Sequence, residues 1–339
     1  MGITERKSVF LRWGLRISMM ALLGFTVLLI AFEWYNPMGL IYSPGKPNQV
    51  KTFRMKMSGG ETKQQVQTFN NIGCLGEAYS DTITRPKVFF MGSSTTLNCM
   101  VPWATQWVAQ AMQGSPYWYN NAGVDGTGVR YWLDMLHAIA PYSPHYIVVL
   151  YAPRKSKSMA SAKKSAWPGL KALKQLAFVQ SVLIPYVYAL RANRQQEGYA
   201  MVDWRSLPYA KGSAEALDTT YIQQSLTEAE ILMDSIQAIG AIPVFIAQPT
   251  PFGNYEEAGI RVGDFALAPK EIARHTAMAQ GLQAICQERG TPFINGEQFP
   301  KTFQYYLDLS HFNEVGNKAF GAFIRDSLHL ILEKKFPVK

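Results

Sequence analysis

Five short apolar runs, each separated from the next by a stretch of helical character, constrain this chain more than any other feature. The runs lie at 88–91, 117–121, 146–151, 242–247 and 292–294, and the helix-like stretches near 103–112, 128–140, 220–239, 271–289 and 314–333. Runs this short, rich in β-branched and aromatic residues, read as strands. Regular alternation with helices predicts a parallel sheet, because a parallel return needs a crossover, and the crossovers cover both faces. The expected fold class is therefore α/β: a three-layer α/β/α domain around a central parallel sheet. Ligand sites in such sheets form beyond the carboxyl ends of the strands, so the loops leaving the runs carry the chemistry.

Three of those loops hold groups suited to acyl chemistry. The first run, KVFFM, passes straight into Gly92-Ser93-Ser94-Thr95-Thr96. A glycine there lets the chain turn sharply and presents a serine hydroxyl near the start of a helix; an ordinary loop with a Ser/Thr helix cap has the same composition. The second run is followed by Ala-Gly-Val-Asp-Gly-Thr-Gly, residues 122–128, whose backbone N–H groups can face an oxyanion or simply form a turn. Near the C-terminus, Asp308 and His311 lie three residues apart, just ahead of a helix whose expected N-cap is Asn313. One turn at that spacing sets a carboxylate against one imidazole nitrogen and leaves the other to take a proton from a serine. The alternative is a carboxylate and an imidazole that only brace the turn.

In order and spacing these blocks resemble the SGNH/GDSL hydrolase superfamily, over roughly residues 85–335. Gly92-Ser93-Ser94 is similar to the family's Gly-Asp-Ser, which implies Ser94 as nucleophile, with Ser93 in place of an Asp that is not the triad acid. Asn121-Ala-Gly-Val-Asp-Gly126 is similar to the second block, and Asp308-Leu-Ser-His311 followed by Phe-Asn-Glu-Val-Gly-Asn to the last. The resemblance implies catalysis by Ser94, His311 and Asp308, and oxyanion donors from the N–H groups of Ser94 and Gly126. The third block departs: where the family has Gly-x-Asn-Asp after a strand, this chain reads IVVLYAPRKS, with Arg154 at the Asn position and Lys155 beside it. Loss of one oxyanion donor costs ~3–4 kcal/mol unless something replaces it. The Arg154 guanidinium has the hydrogen bonds and the charge to do so; paired elsewhere, it leaves a slow enzyme or a binding protein. Asn121 and Lys155 are expected on the substrate side. No metal or organic cofactor is implied.

Where the protein works is read from its N-terminal end. Residues 17–32, ISMMALLGFTVLLIAF, carry no charge, and Trp13, Trp34 and Tyr35 flank them. That run is shorter than the ~20 residues a span needs, but snorkelling Arg12 and Arg16 extend it, so 13–36 is expected to be a transmembrane anchor. Arg6, Lys7, Arg12 and Arg16 put the tail 1–12 in the cytoplasm and the remainder outside it, as a single-pass inner-membrane protein with a periplasmic or extracellular domain. Bulky residues where a signal peptidase needs small ones argue against cleavage. Residues 37–84 read as a stalk or an N-terminal wrap, and 85–339 as the hydrolase-like domain.

The net charge of +9 is concentrated rather than spread: residues 151–196 hold nine Lys and Arg and no Asp or Glu. This basic block, within an insertion at 151–219, fits contact with an anionic polymer or lipid headgroups, or plain solvation. No nucleic-acid motif accompanies it, and none is expected as a partner. With 48% apolar residues and three cysteines, the chain is not disordered and has no disulfide framework. Cys74 with Cys99 is one expected pairing, and three buried free thiols the other. Together these readings predict a serine esterase acting on acylated polysaccharide or glycan. The alternatives are a periplasmic polysaccharide O-acetyltransferase, and a catalytically weak accessory that works with polysaccharide-assembly proteins.

Overall fold

The computed structural model describes residues 47–56, 61–152, 199–200, 204–208 and 219–335, with a few isolated positions before 47. Strands β1 (Val50–Lys56) and β2 (Thr62–Thr68) form an antiparallel hairpin, followed by the two-residue β3 (Leu75–Gly76). The central βα units then run β4 (Lys87–Gly92), α1 (Ser94–Leu97), α2 (Trp107–Ala111), β5 (Trp118–Asn121), α3 (Val129–Ile139) and β6 (Tyr146–Tyr151). After β7 (Tyr199–Ala200) come α4 (Thr219–Ala238) and β8 (Ile242–Ala247), and then a small hairpin of β9 (Glu256–Glu257) and β10 (Ile260–Arg261). The chain closes with α5 (Ala268–Glu288), β11 (Phe293–Ile294) and α6 (Glu314–Lys335).

The main sheet has the order β11-β8-β6-β4-β5-β3. All its pairs are parallel except β3, which runs antiparallel to β5. The expected all-parallel sheet is thus corrected at one edge: β3 reaches β5 directly from the segment before β4, with no crossover to reverse it. Alternate residues of the central strands point to opposite layers. Phe89, Met91, Ile147, Val149 and Phe245 pack with Trp132 and Leu136 of α3, Leu232 of α4 and Leu282 of α5. Val88, Phe90, Val148, Leu150, Val244 and Ile246 pack with Trp107 of α2 and with Phe320, Ile324 and Leu328 of α6. Burial on both faces explains why these strands read as unbroken apolar runs.

This strand order decides where a site can form. From β4 the chain crosses to β5 on one side, then returns past β4 to β6 on the other, so β4 and β6 flank a topological switch point. In sheets of this kind a crevice opens at the carboxyl ends of the strands flanking a switch point, and Ser94 begins the helix after β4 at that edge. The β1–β2 hairpin and the stretch after it pack against this region. Gln67 of β2 donates to the carbonyls of Cys99 (3.1 Å) and Val101 (2.6 Å), just beyond α1, and Phe69 and Leu75 pack with Leu97, Cys99, Met100 and Leu307.

Most of the expected anchor, 13–36, and the basic stretch 153–198 with Arg154 and Lys155 lie outside the described residues. No helix among the described residues is long and apolar enough to cross a membrane. The cysteine alternatives are resolved: Cys74, Cys99 and Cys286 are buried, and none is in a disulfide. Cys74 sits in the sheet–α3 layer and Cys99 in the small cluster beneath the hairpin. Burial pushes the Cys74 and Cys286 thiols up to about 12, so little thiolate exists at neutral pH. Alkylation followed by mass spectrometry should label none of the three cysteines in the folded protein and all three after denaturation without reductant; a Cys74–Cys99 bridge would leave only one to label.

Candidate active site

Ser94 owes its place to a close approach that only glycine permits. A Cβ on Gly92 would lie 2.1 Å from Thr96 Oγ1 and 3.1 Å from the Leu150 carbonyl, so β4 can turn into α1 against β6 only without a side chain there. A second close approach follows β5. A Cβ on Gly123 would lie 2.5 Å from the Leu97 nitrogen, which presses the loop at 122–128 against the nucleophile-bearing turn. Within that loop Gly126 adopts φ +74°, with open space where a Cβ would stand.

Ser94, His311 and Asp308 come together although Ser94 and His311 are 217 residues apart. Ser94 Oγ lies 2.7 Å from His311 Nε2, and His311 Nδ1 lies 2.6 Å from Asp308 Oδ2. The carboxylate cannot donate, so Nδ1–H donates to Asp308, which leaves Nε2 to accept from the Ser94 hydroxyl. The other carboxylate oxygen, Oδ1, accepts from the backbone N–H groups of Ser310 (2.8 Å) and His311 (2.7 Å). Burial would raise the Asp308 pKa. The hydrogen bonds and the charge of the imidazole outweigh that, and Asp308 titrates below the ordinary carboxylate value. Ser94 is 6% exposed and His311 9%, dry enough for these contacts to be strong.

The loop bearing the imidazole is held from both ends. The Leu307 N–H donates to the His311 carbonyl at 2.7 Å, and Tyr306 bridges to Phe312. Asn313 caps α6 as expected, its Oδ1 accepting the Gly316 N–H at 2.9 Å.

Asn121, expected on the substrate side, is corrected to a brace. It is fully buried; Nδ2 donates to the Thr96 carbonyl (2.6 Å) and to Gln106 Oε1 (3.2 Å), and Oδ1 accepts the Gly123 N–H (2.9 Å). Both amide hydrogens are spent within the protein, so none is left for a ligand. Sequence reasoning missed the buried partners Asn98, Gln106 and Asn317, which nothing in a single sequence separates from surface amides.

Among the described residues the Ser94 N–H makes no hydrogen bond and stands at the first turn of α1. Beside this turn, Ser93, Gly128, Val129, Trp132, Tyr151 and Ala152 line a small cleft that Ser225 and Glu228 also border. No group of three His, Cys, Asp or Glu side chains among the described residues is arranged to hold a metal ion. What the assembled groups can do is nucleophilic acyl transfer: an attacking hydroxyl, a base that takes its proton, and a carboxylate that fixes the base.

No protein-family profile and no curated protein matches the chain. Among solved structures it is similar to a GDSL-like lipase from Bacteroides thetaiotaomicron, at 11% identity over 75% of this chain and 93% of that one, with a TM-score of 0.41. It is also similar to a carbohydrate acetylesterase from Sinorhizobium meliloti (8% identity, 73% and 100% coverage, TM-score 0.43). A third is the aryl esterase of M. smegmatis (9%, 72% and 99%, 0.42). Similarity at this level says nothing about chemistry, which rests on the geometry above.

The Asp308 contacts generate a two-part prediction. Asp308→Asn presents an N–H to Nδ1 and favours the tautomer that cannot accept from Ser94, so any Ser94-dependent turnover should fall by about 10³–10⁴-fold. Because the native pKa is depressed, the stability that Asp308 contributes is present above the unfolded carboxylate value and lost as pH falls through the native one. The difference in unfolding temperature between wild type and Asp308→Asn should therefore be constant near neutrality and shrink below about pH 4. A constant difference down to pH 2 would contradict the assignment.

Proposed function

We propose that this protein is a serine esterase, anchored in the membrane by residues 13–36, that acts outside the cytoplasm and removes O-acyl groups, O-acetyl foremost, from a cell-surface polysaccharide or glycan. The observation that carries the esterase reading is the continuous hydrogen-bonded line from Ser94 Oγ through the His311 ring to Asp308. The glycan and the location rest on the sequence: the uncharged run and basic flank of the N-terminus, and the resemblance of the three loops.

In the proposed cycle Ser94 Oγ attacks the ester carbonyl carbon and its proton passes to His311 Nε2. Asp308 holds Nδ1–H throughout and stabilises the imidazolium. The carbonyl oxygen gains the negative charge of the tetrahedral intermediate, for which the Ser94 N–H, engaged in no hydrogen bond among the described residues, is one donor; the sequence resemblance adds the Gly126 N–H and Arg154 as the others. Collapse breaks the ester C–O bond, the His311 proton goes to the departing alkoxide, and an acyl-Ser94 ester remains. Water then attacks by the same route and releases the acid. A sugar hydroxyl attacking in place of water makes the same cycle an acyl transfer.

Hydrolysis of a small aryl acetate by the purified full chain tests the proposal. Wild-type protein should release the phenol, and Ser94→Ala or His311→Ala should lower the rate by about 10³-fold or more without loss of folding. Acetate released from an O-acetylated polysaccharide supports hydrolysis, whereas acetylated acceptor sugar as the product assigns transfer. Turnover that survives both substitutions would overturn the catalytic reading.

A further inference from the structure

The two segments that meet at the Ser94–His311 contact are each weak elements. Ser94 sits on a four-residue helix, too short to hold its own orientation, and His311 sits in a loop closed by a single bridge pair. A buried side-chain amide joins them. Asn98 ends α1 in the left-handed conformation (φ 37°, ψ 53°), and its N–H bonds the Ser94 carbonyl at 2.8 Å. Its Nδ2 donates across 214 residues of sequence to the carbonyl of Phe312, the neighbour of His311, at 3.2 Å. Gln106 holds the Asn98 carbonyl in turn (3.1 Å). Asn317 of α6 donates to the same Phe312 carbonyl (3.1 Å) while accepting the Trp107 N–H (2.9 Å). Asn98 is 1% exposed, and Gln106 and Asn317 are fully buried.

We infer that Asn98 is a positioning residue for the proposed reaction: its amide ties the turn that carries the nucleophile to the backbone beside the base, and so sets the distance between Ser94 Oγ and His311 Nε2. Ordinary packing would not need it. A left-handed cap is made more easily by glycine, and a buried amide adds a polar group that must find partners. The cap gains its backbone bond whatever the side chain, whereas the bond to Phe312 requires the amide. Misplacing a base by an ångström costs on the order of 10²-fold in rate, so a strut of this kind acts on the chemical step more than on binding.

The inference rests on the esterase reading, and its test separates the two. Asn98→Gly keeps the left-handed backbone and removes the strut; Asn98→Asp keeps the shape and the turn preference but turns an acceptor toward the Phe312 carbonyl. The full chain has five histidines and can be labelled with ¹⁵N-histidine, so the His311 Nε2 resonance reports its bond to Ser94 without any turnover. In the wild-type background Ser94→Ala should move that resonance. In either Asn98 variant it should already be displaced the same way, and adding Ser94→Ala should move it little further. With an aryl acetate, kcat should fall by about 10- to 100-fold while KM stays within about twofold. An Asn98 that only caps α1 lowers the unfolding temperature but leaves the His311 resonance and its full response to Ser94→Ala intact, and that result overturns the inference. A wild-type chain with no turnover at all sinks the esterase reading, and the resonance comparison still decides whether Asn98 sets the contact.

Discussion

The contact between the Ser94 hydroxyl and the His311 imidazole, 2.7 Å long and almost dry, is the constraint to which the rest of the architecture answers. Neither group stands on a long regular element, so their meeting depends on what surrounds them. The sheet supplies the coarse placement. β4 and β6 are adjacent and parallel, with β5 on the far side of β4, and the chain leaving β4 must turn into a crevice at the carboxyl edge. Gly92 makes the turn tight by leaving Thr96 of α1 and the Leu150 carbonyl of β6 the space a side chain would fill.

Fine placement comes from polar groups with no water to fall back on. Asn121, Gln106, Asn98 and Asn317 spend their amides on backbone carbonyls and N–H groups around α1, α2 and the loop before α6. A buried amide N–H is costly unless partnered, so each of these fixes a distance as well as satisfying a donor; Asn98 does so through Nδ2 alone, its Oδ1 accepting no hydrogen bond among the described residues. The N-terminal hairpin adds a further hold, since Gln67 carries the carbonyls of Cys99 and Val101. Removing the β1–β2 hairpin would therefore loosen the turn that bears Ser94.

How far the sequence could be read follows from which interactions are local. Strands β4, β6 and β8 are buried on both faces and show as apolar runs, and the Asp308–His311 pair lies within one turn, so both were legible. The Asn313 cap is also a local signal. The direction of β3 was not legible, because two residues at a sheet edge carry no pattern of their own. The part played by Asn121 was misread because an amide that reaches Thr96, 25 residues away, looks the same in sequence as one that reaches a ligand. Asn98 was missed for the same reason, at a separation of 214 residues.

Covalent capture tests the central claim most directly, because it asks whether Ser94 is a nucleophile activated by His311. Treating the full chain with a serine-reactive phosphonate and mapping the adduct by mass spectrometry should find one modified residue, Ser94, and no adduct in His311→Ala. Absence of any adduct on Ser94 in the folded wild-type protein, or an equal adduct when His311 is removed, would contradict the account.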